Sequence, residues 1–129
     1  AEVENIRKRA RRDVQLAGDR GVARLARELL PSLDNLERAL AASEAAEVEA
    51  VKHLADGVRM VQQELLAAFE RVGIERYSPE GETFDPRLHE AVAQRPVDGA
   101  ASGTIVEVYE TGYRYKDEIL RAAKVVVAQ

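Results

Sequence analysis

The side chains of this sequence best suited to chemistry are two histidines, His53 and His89, and a scatter of acids. His89 lies in "FDPRLHEAV", residues 84–92, between Arg87 and Glu90. An imidazole can take a proton or bind a metal, but either role needs a second polar group held against it. His53 belongs to a different, helical stretch. No His-x-x-His pair exists and there is no cysteine, so no transition-metal site is expected. "GxSxG" and "GxxxxGK[ST]" are absent, and the eight glycines are scattered. The acid pairs Glu47/Glu49 and Asp117/Glu118 read as solvated surface. The expectation is therefore no catalytic residue, no metal, no cofactor and no enzyme.

His89 is instead expected to hydrogen-bond a neighbouring backbone group or to pack at a helix–sheet junction. Asp85 and Pro86 predict the start of a helical turn, with Asp capping free N–H groups and Pro at the first helical position. Phe84 precedes the cap and can bury itself, while Leu88, Ala91 and Val92 are expected to face a core.

The second candidate is "IRKRARR", residues 6–12. Residues 1–27 carry eight basic and four acidic side chains, against 11 and 19 in the rest, within a net charge of −4. A basic end can bind nucleic acid or an acidic protein surface, or be only a solvated helix face. The cations spread around the helix, no aromatic stands near to stack on a base, and only Asn5 and Gln15 flank the run. Nucleic-acid binding is not favoured. A coiled-coil nucleic-acid-binding or scaffold protein is the alternative reading.

The elements that must hold these residues follow from composition and periodicity. Charged residues make up 33% and aromatics 5% of 129 residues, so a core must come from Leu, Val, Ile and Ala. No run of about 18 apolar residues and no signal-peptide core is present, which predicts no membrane contact and a cytoplasmic location. Residues 2–28 predict a helix with an 11-residue repeat (Val3, Val14, Leu25; Ile6, Ala17; Ala10, Gly21), a period that suits nearly straight pairing. Its seam is thin, and Gly18 and Gly21 each weaken the helix by roughly 1 kcal/mol. Residues 28–42 predict a second helix on Leu29, Leu33, Leu36 and Leu40, with Pro31 kinking or restarting the chain near 28–31. After a weak point at 43–47, where Ser43 could cap either side, residues 47–72 predict a third helix on Val51, Leu54, Val58, Val61 and Leu65. Gly73 is placed for a left-handed C-terminal cap. Seams this narrow need a second copy, which predicts a dimeric four-helix bundle. From residue 74 the pattern turns to short β-branched stretches, "IERYS", "AVAQRPV", "GTIVEVYE" and "KVVVA". "YETGYRY" reads as a hairpin turning at Gly112. The fold class is α+β, a long paired helix and two bundle helices over residues 1–73, then a small all-β domain over 74–129.

Two blocks carry a resemblance. "FDPRLHEAV", a 19-residue gap and "GYRYKDEILRAAKVVV" follow the signature of the GrpE family, nucleotide-exchange factors of DnaK-type chaperones. "ENIRKR" through "ELLPSLDNLERAL" resembles that family's long helix and first bundle helix. The resemblance implies a parallel homodimer that binds one DnaK nucleotide-binding domain, opens its cleft and releases ADP. It implies partner contacts at Arg7 and Lys8 on the helix and at Tyr109, Gly112, Tyr113, Glu118, Arg121 and Val127 on the β domain. Tyr113 and Val127 also fit a core role, and Gly112 a turn role. It implies a dimer interface through Val3, Ile6, Val14, Leu29, Leu33, Leu36, Leu40, Val51, Leu54, Val58, Val61 and Leu65. Many family members carry Arg where this chain has Glu118. Either the cognate chaperone differs, or Arg114, Lys116 or Arg121 takes over the contact. The resemblance also implies that the paired helix melts reversibly with temperature, for which a Gly-containing seam is physically suited.

Overall fold

A computed structural model describes all 129 residues. The chain forms two helices, α1 (Glu2–Glu44) and α2 (Glu49–Arg71), then six strands: β1 (Ile74–Tyr77), β2 (His89–Arg95), β3 (Ile105–Glu110), β4 (Gly112–Tyr115), β5 (Glu118–Arg121) and β6 (Ala123–Ala128). It is an α+β fold of two compact units, Ala1–Gln62 and Gln63–Gln129.

Two helices stand where three were expected. α1 runs unbroken through Pro31, so the predicted restart does not occur and the first bundle helix is the continuation of the long one. Pro31 removes one intrahelical bond, to the Arg27 carbonyl. A restart would instead have orphaned up to four donors and four acceptors at the new ends. Leu30 and Leu33 are buried on either side of the proline, which holds both segments in place. The helix ends at the predicted weak point. The Ser43 hydroxyl donates to the Leu40 carbonyl at 2.7 Å, satisfying one last-turn acceptor. Across the four-residue link, Arg59 of α2 reaches Glu44 of α1 at 3.5 Å. α2 closes on Gly73, whose φ of +94° makes the expected left-handed cap.

The second unit carries two three-stranded sheets, ordered β1-β4-β5 and β2-β6-β3. Strand β6 lies parallel to β2 and antiparallel to β3. As the central strand it is buried on both faces, which explains the nearly unbroken apolar run "AKVVVA". Ile105, Ala123, Val125 and Val127 form the core, with Tyr77, Phe84 and Val108 packed against it.

Two local expectations fail here. The hairpin at Gly112 does not exist, because β3 pairs with β6 while β4 pairs with β1 and β5. Thr111 alone carries the chain from one sheet to the other, too short a link for a two-residue turn. The hairpin forms one strand later. Tyr115 faces Glu118 across Lys116 and Asp117, with Lys116 at φ +53°. The second failure is "LHEAV". A single turn closes on the Asp85 carbonyl, which accepts the N–H groups of Leu88 (3.0 Å) and His89 (2.9 Å). The chain then becomes strand β2 at the edge of its sheet, so Ala91 and Val92 are exposed rather than in a core.

Candidate interaction surfaces

His89 is buried, 6% exposed, and its Nδ1 accepts the Asp85 backbone N–H at 2.9 Å. Its ring leans on Phe84 and Tyr77, with centroids 6.0 and 6.4 Å away. It therefore closes the turn through a backbone group, the non-catalytic reading of the sequence. Asp85 Oδ1 accepts the Arg87 N–H at 3.0 Å, and its other oxygen meets the Arg87 guanidinium at 3.0 Å. The Arg87 side chain first, then its backbone N–H, hold the Asp85 carboxyl below the ordinary carboxylate range. No group of three or more His, Asp or Glu side chains converges as metal ligands would.

The β unit is tied together by a phenol that the sequence reading did not single out. Tyr77, on β1, donates its hydroxyl to the Leu88 carbonyl at 2.7 Å and lies 3.4 Å from the Arg121 carbonyl. Burial pushes its pKa up, opposed by the Ala123 backbone amide and the Arg114 charge. Gly112 faces Tyr77 across the β1–β4 pairing. A Cβ there would stand 2.6 and 2.7 Å from two ring carbons of Tyr77, and closer still to Cζ. Gly112 is thus glycine because a ring lies on its backbone, not because it turns; its φ is outside the left-handed region. A glycine inside a paired strand is the sequence signal that could have pointed to such a close approach.

The other expected partner residues divide by exposure. Tyr109 is 75% exposed on β3, and Glu118 is exposed on β5. Tyr113 and Val127 are buried, at 2% and 6%. Tyr113 packs edge-on against Phe69 of α2, centroids 6.4 Å apart, beside an open groove of about 570 Å³ lined by Leu66, Phe69 and Ile74. Arg121 is largely enclosed. Its guanidinium lies over the Tyr113 ring at 5.3 Å, donates twice to the Thr111 carbonyl and pairs with Glu110 at 3.2 Å. Arg114 pairs with Glu75 at 2.8 Å, and Lys116 lies over Tyr115.

On the helices, Arg7, Lys8, Arg9, Arg11 and Arg12 are all exposed. Ala23, Ala26, Leu30, Leu33 and Leu40 are buried within the chain and occupy one side of α1. Val3, Ile6, Val14 and Leu25 lie on a separate side and are exposed, and Leu29 is more than a third exposed. α2 repeats this division. Ala55 is buried, while Leu54, Val61 and Leu65 line a second face and are exposed, Leu54 at 69%. Of the expected dimer residues, only Leu33 and Leu40 are fully covered by the chain itself; Leu36 and Val58 are half-covered. Leu16, Leu25, Met60 and Val72 are further exposed apolar side chains outside the expected set. No helix is long and apolar enough to cross a membrane.

Comparison with known proteins gives one consistent result. The GrpE family model matches residues 1–129. The chain is 41% identical to Protein GrpE of Pasteurella multocida (strain Pm70) over 128 residues, covering 99% of this chain and 65% of that protein. It is 41% identical to Protein GrpE of Histophilus somni (strain 2336) over 129 residues, all of this chain and 66% of the relative. With Protein GrpE of Brucella anthropi it shares 44% over 132 residues, covering all of this chain and 58% of the relative. The chain spans slightly less than two thirds of the length of these relatives.

Proposed function

The chain belongs to the GrpE family, and from that premise we propose that it is a nucleotide-exchange factor for a DnaK-type chaperone, working in the cytoplasm. Residues 1–73 are its helical dimerisation region and residues 74–129 its β domain. Two copies pair in parallel along the α1 stripe of Val3, Ile6, Val14 and Leu29. Val51, Leu54, Val58, Val61 and Leu65 of α2, with Leu33, Leu36 and Leu40 of α1, complete a four-helix bundle. The observation that carries the dimer is that α1 buries one apolar side in its own chain, while both helices leave an apolar face uncovered. Exposed apolar area on this scale marks an association surface.

The β domain is the head that meets the chaperone's nucleotide-binding domain. Tyr109 and Glu118 offer side chains to that partner, while Gly112, Tyr113, Arg121 and Val127 support the surface from beneath. Arg7 and Lys8 add charge contacts along the helix. No bond is made or broken. The dimer binds the open cleft more tightly than the closed one and so shifts the population toward the state that lets ADP leave. By reciprocity ADP and the exchange factor weaken each other's binding. ATP then expels the factor.

The test is release of a fluorescent ADP analogue from the ATPase domain of the cognate chaperone. Sub-stoichiometric dimer should accelerate release many-fold. Unchanged release, together with salt-dependent binding to DNA or RNA, would favour a nucleic-acid scaffold instead.

A further inference from the structure

The chain passes from one β sheet to the other through a single residue, Thr111, whose carbonyl is held by one side chain, Arg121, while Arg76 Nη2 reaches its hydroxyl at 3.4 Å. Arg121 Nε and Nη2 donate to the Thr111 carbonyl at 3.1 and 2.8 Å. Its Nη1 meets Glu110 at 3.2 Å, and the other Glu110 oxygen takes Lys124 of β6 at 3.4 Å. The guanidinium plane lies over Tyr113, the second residue of β4. The arginine and Glu110 side chains are only 19% and 27% exposed, so solvent competes weakly for this pair. A forked, planar, always-charged donor can satisfy one carbonyl twice, an acid and a ring at once; an ammonium cannot. Tyr109, the most exposed aromatic of the β unit, sits one residue before Glu110.

We propose that Arg121 is a positioning residue: it fixes the Glu110–Gly112 crossover and thereby the direction in which Tyr109 is offered to the partner, without touching the partner itself. This rests on the exchange-factor reading for its functional consequence, but not for its structural one. The energetic logic is preorganisation. A contact aromatic on a strand end that wanders would lose binding to the ordering of that strand end on association.

The test is a double-mutant cycle with Tyr109→Ala and Arg121→Lys, read as the concentration of full chain giving half-maximal ADP release. Arg121→Lys should raise that concentration about tenfold in the wild-type background. In the Tyr109→Ala background it should change it by less than about twofold. Equal losses in both backgrounds would make Arg121 a direct contact and overturn the proposal, as would a Tyr109→Ala variant that binds like wild type. Amide hydrogen exchange supplies the structural arm. Arg121→Lys should speed exchange from Glu110 to Gly112 and leave β6 protected. Unchanged protection there overturns the proposal, whether or not the chain releases ADP at all. Absence of any release by the wild type counts against the exchange-factor reading alone. If Arg121→Lys does not fold, Glu110→Gln, which removes the acid and keeps the carbonyl fork, is carried through the same two measurements with the same criteria.

Discussion

Replacing Gly112 with alanine should unseat the β unit while sparing the helices. The new methyl would fall on the Tyr77 ring, inside 2.7 Å of several carbons, whereas apolar carbons rest at about 3.5–4 Å. The ring must retreat by roughly an ångström to reach that spacing. It is not free to do so, because its hydroxyl is anchored to Leu88 at 2.7 Å. Overpacking of this kind costs about 1–3 kcal/mol, and losing the hydrogen bond adds about 1 kcal/mol. The expected loss is roughly 2–4 kcal/mol, a large share of the 5–15 kcal/mol typical of a whole domain. For a unit of this size that is a fall in Tm of roughly 10–30 °C. The assay is favoured by composition. There is no tryptophan, and all four tyrosines lie in residues 74–129, so tyrosine fluorescence during urea unfolding reports on the β unit alone. Far-UV circular dichroism follows the helices. The reasoning is refuted if Gly112→Ala unfolds within about 0.5 kcal/mol of wild type. It is equally refuted if the loss persists undiminished in a Tyr77→Leu background, where no ring remains to collide with.

Leu65→Glu should dissociate the dimer. The change enters twice in a symmetric pair, and burying a charge in place of a leucine costs about 2–3 kcal/mol per copy, raising Kd by roughly a thousandfold or more in a sedimentation titration. Gly18→Ala, at a helical site with nothing within 4 Å, should stabilise α1 by about 1 kcal/mol, seen as a higher helix melting temperature. The Asp85 carboxyl is held below its ordinary range by Arg87. The stability it contributes is therefore complete above the unfolded value near pH 4 and is lost as pH falls through the lower folded value. Asp85→Asn should lower the urea midpoint at pH 7, and the gap to wild type should close below about pH 4.

Helical spacing of apolar residues made the helices legible, and short β-branched runs marked the strands. Gly73 ended α2 as read, since a left-handed cap admits little else. His89 was readable as a satisfied core imidazole because no second polar group could join it. What stayed hidden depended on pairing between distant segments. "YETGYRY" looks like a hairpin locally, yet β3 is claimed by β6 and β4 by β1 and β5. Ala91 and Val92 were expected to face a core, yet the edge position of β2 beside β6 leaves them exposed. Pro31 should break a helix on local grounds, and burial of Leu30 and Leu33 overrides it. The Tyr77–Gly112 contact joins residues 35 positions apart; the glycine hints at a close approach, but nothing in the local pattern names the ring that makes it.

Sedimentation equilibrium of the chain mixed with its chaperone's ATPase domain tests the exchange-factor account most directly. Alone, the chain should run at twice its protomer mass of 14.3 kDa. With excess ATPase domain and no ATP, one domain should join each dimer, and adding ATP should release it. A chain that stays a folded monomer at micromolar concentration, or a complex indifferent to ATP, would contradict the account.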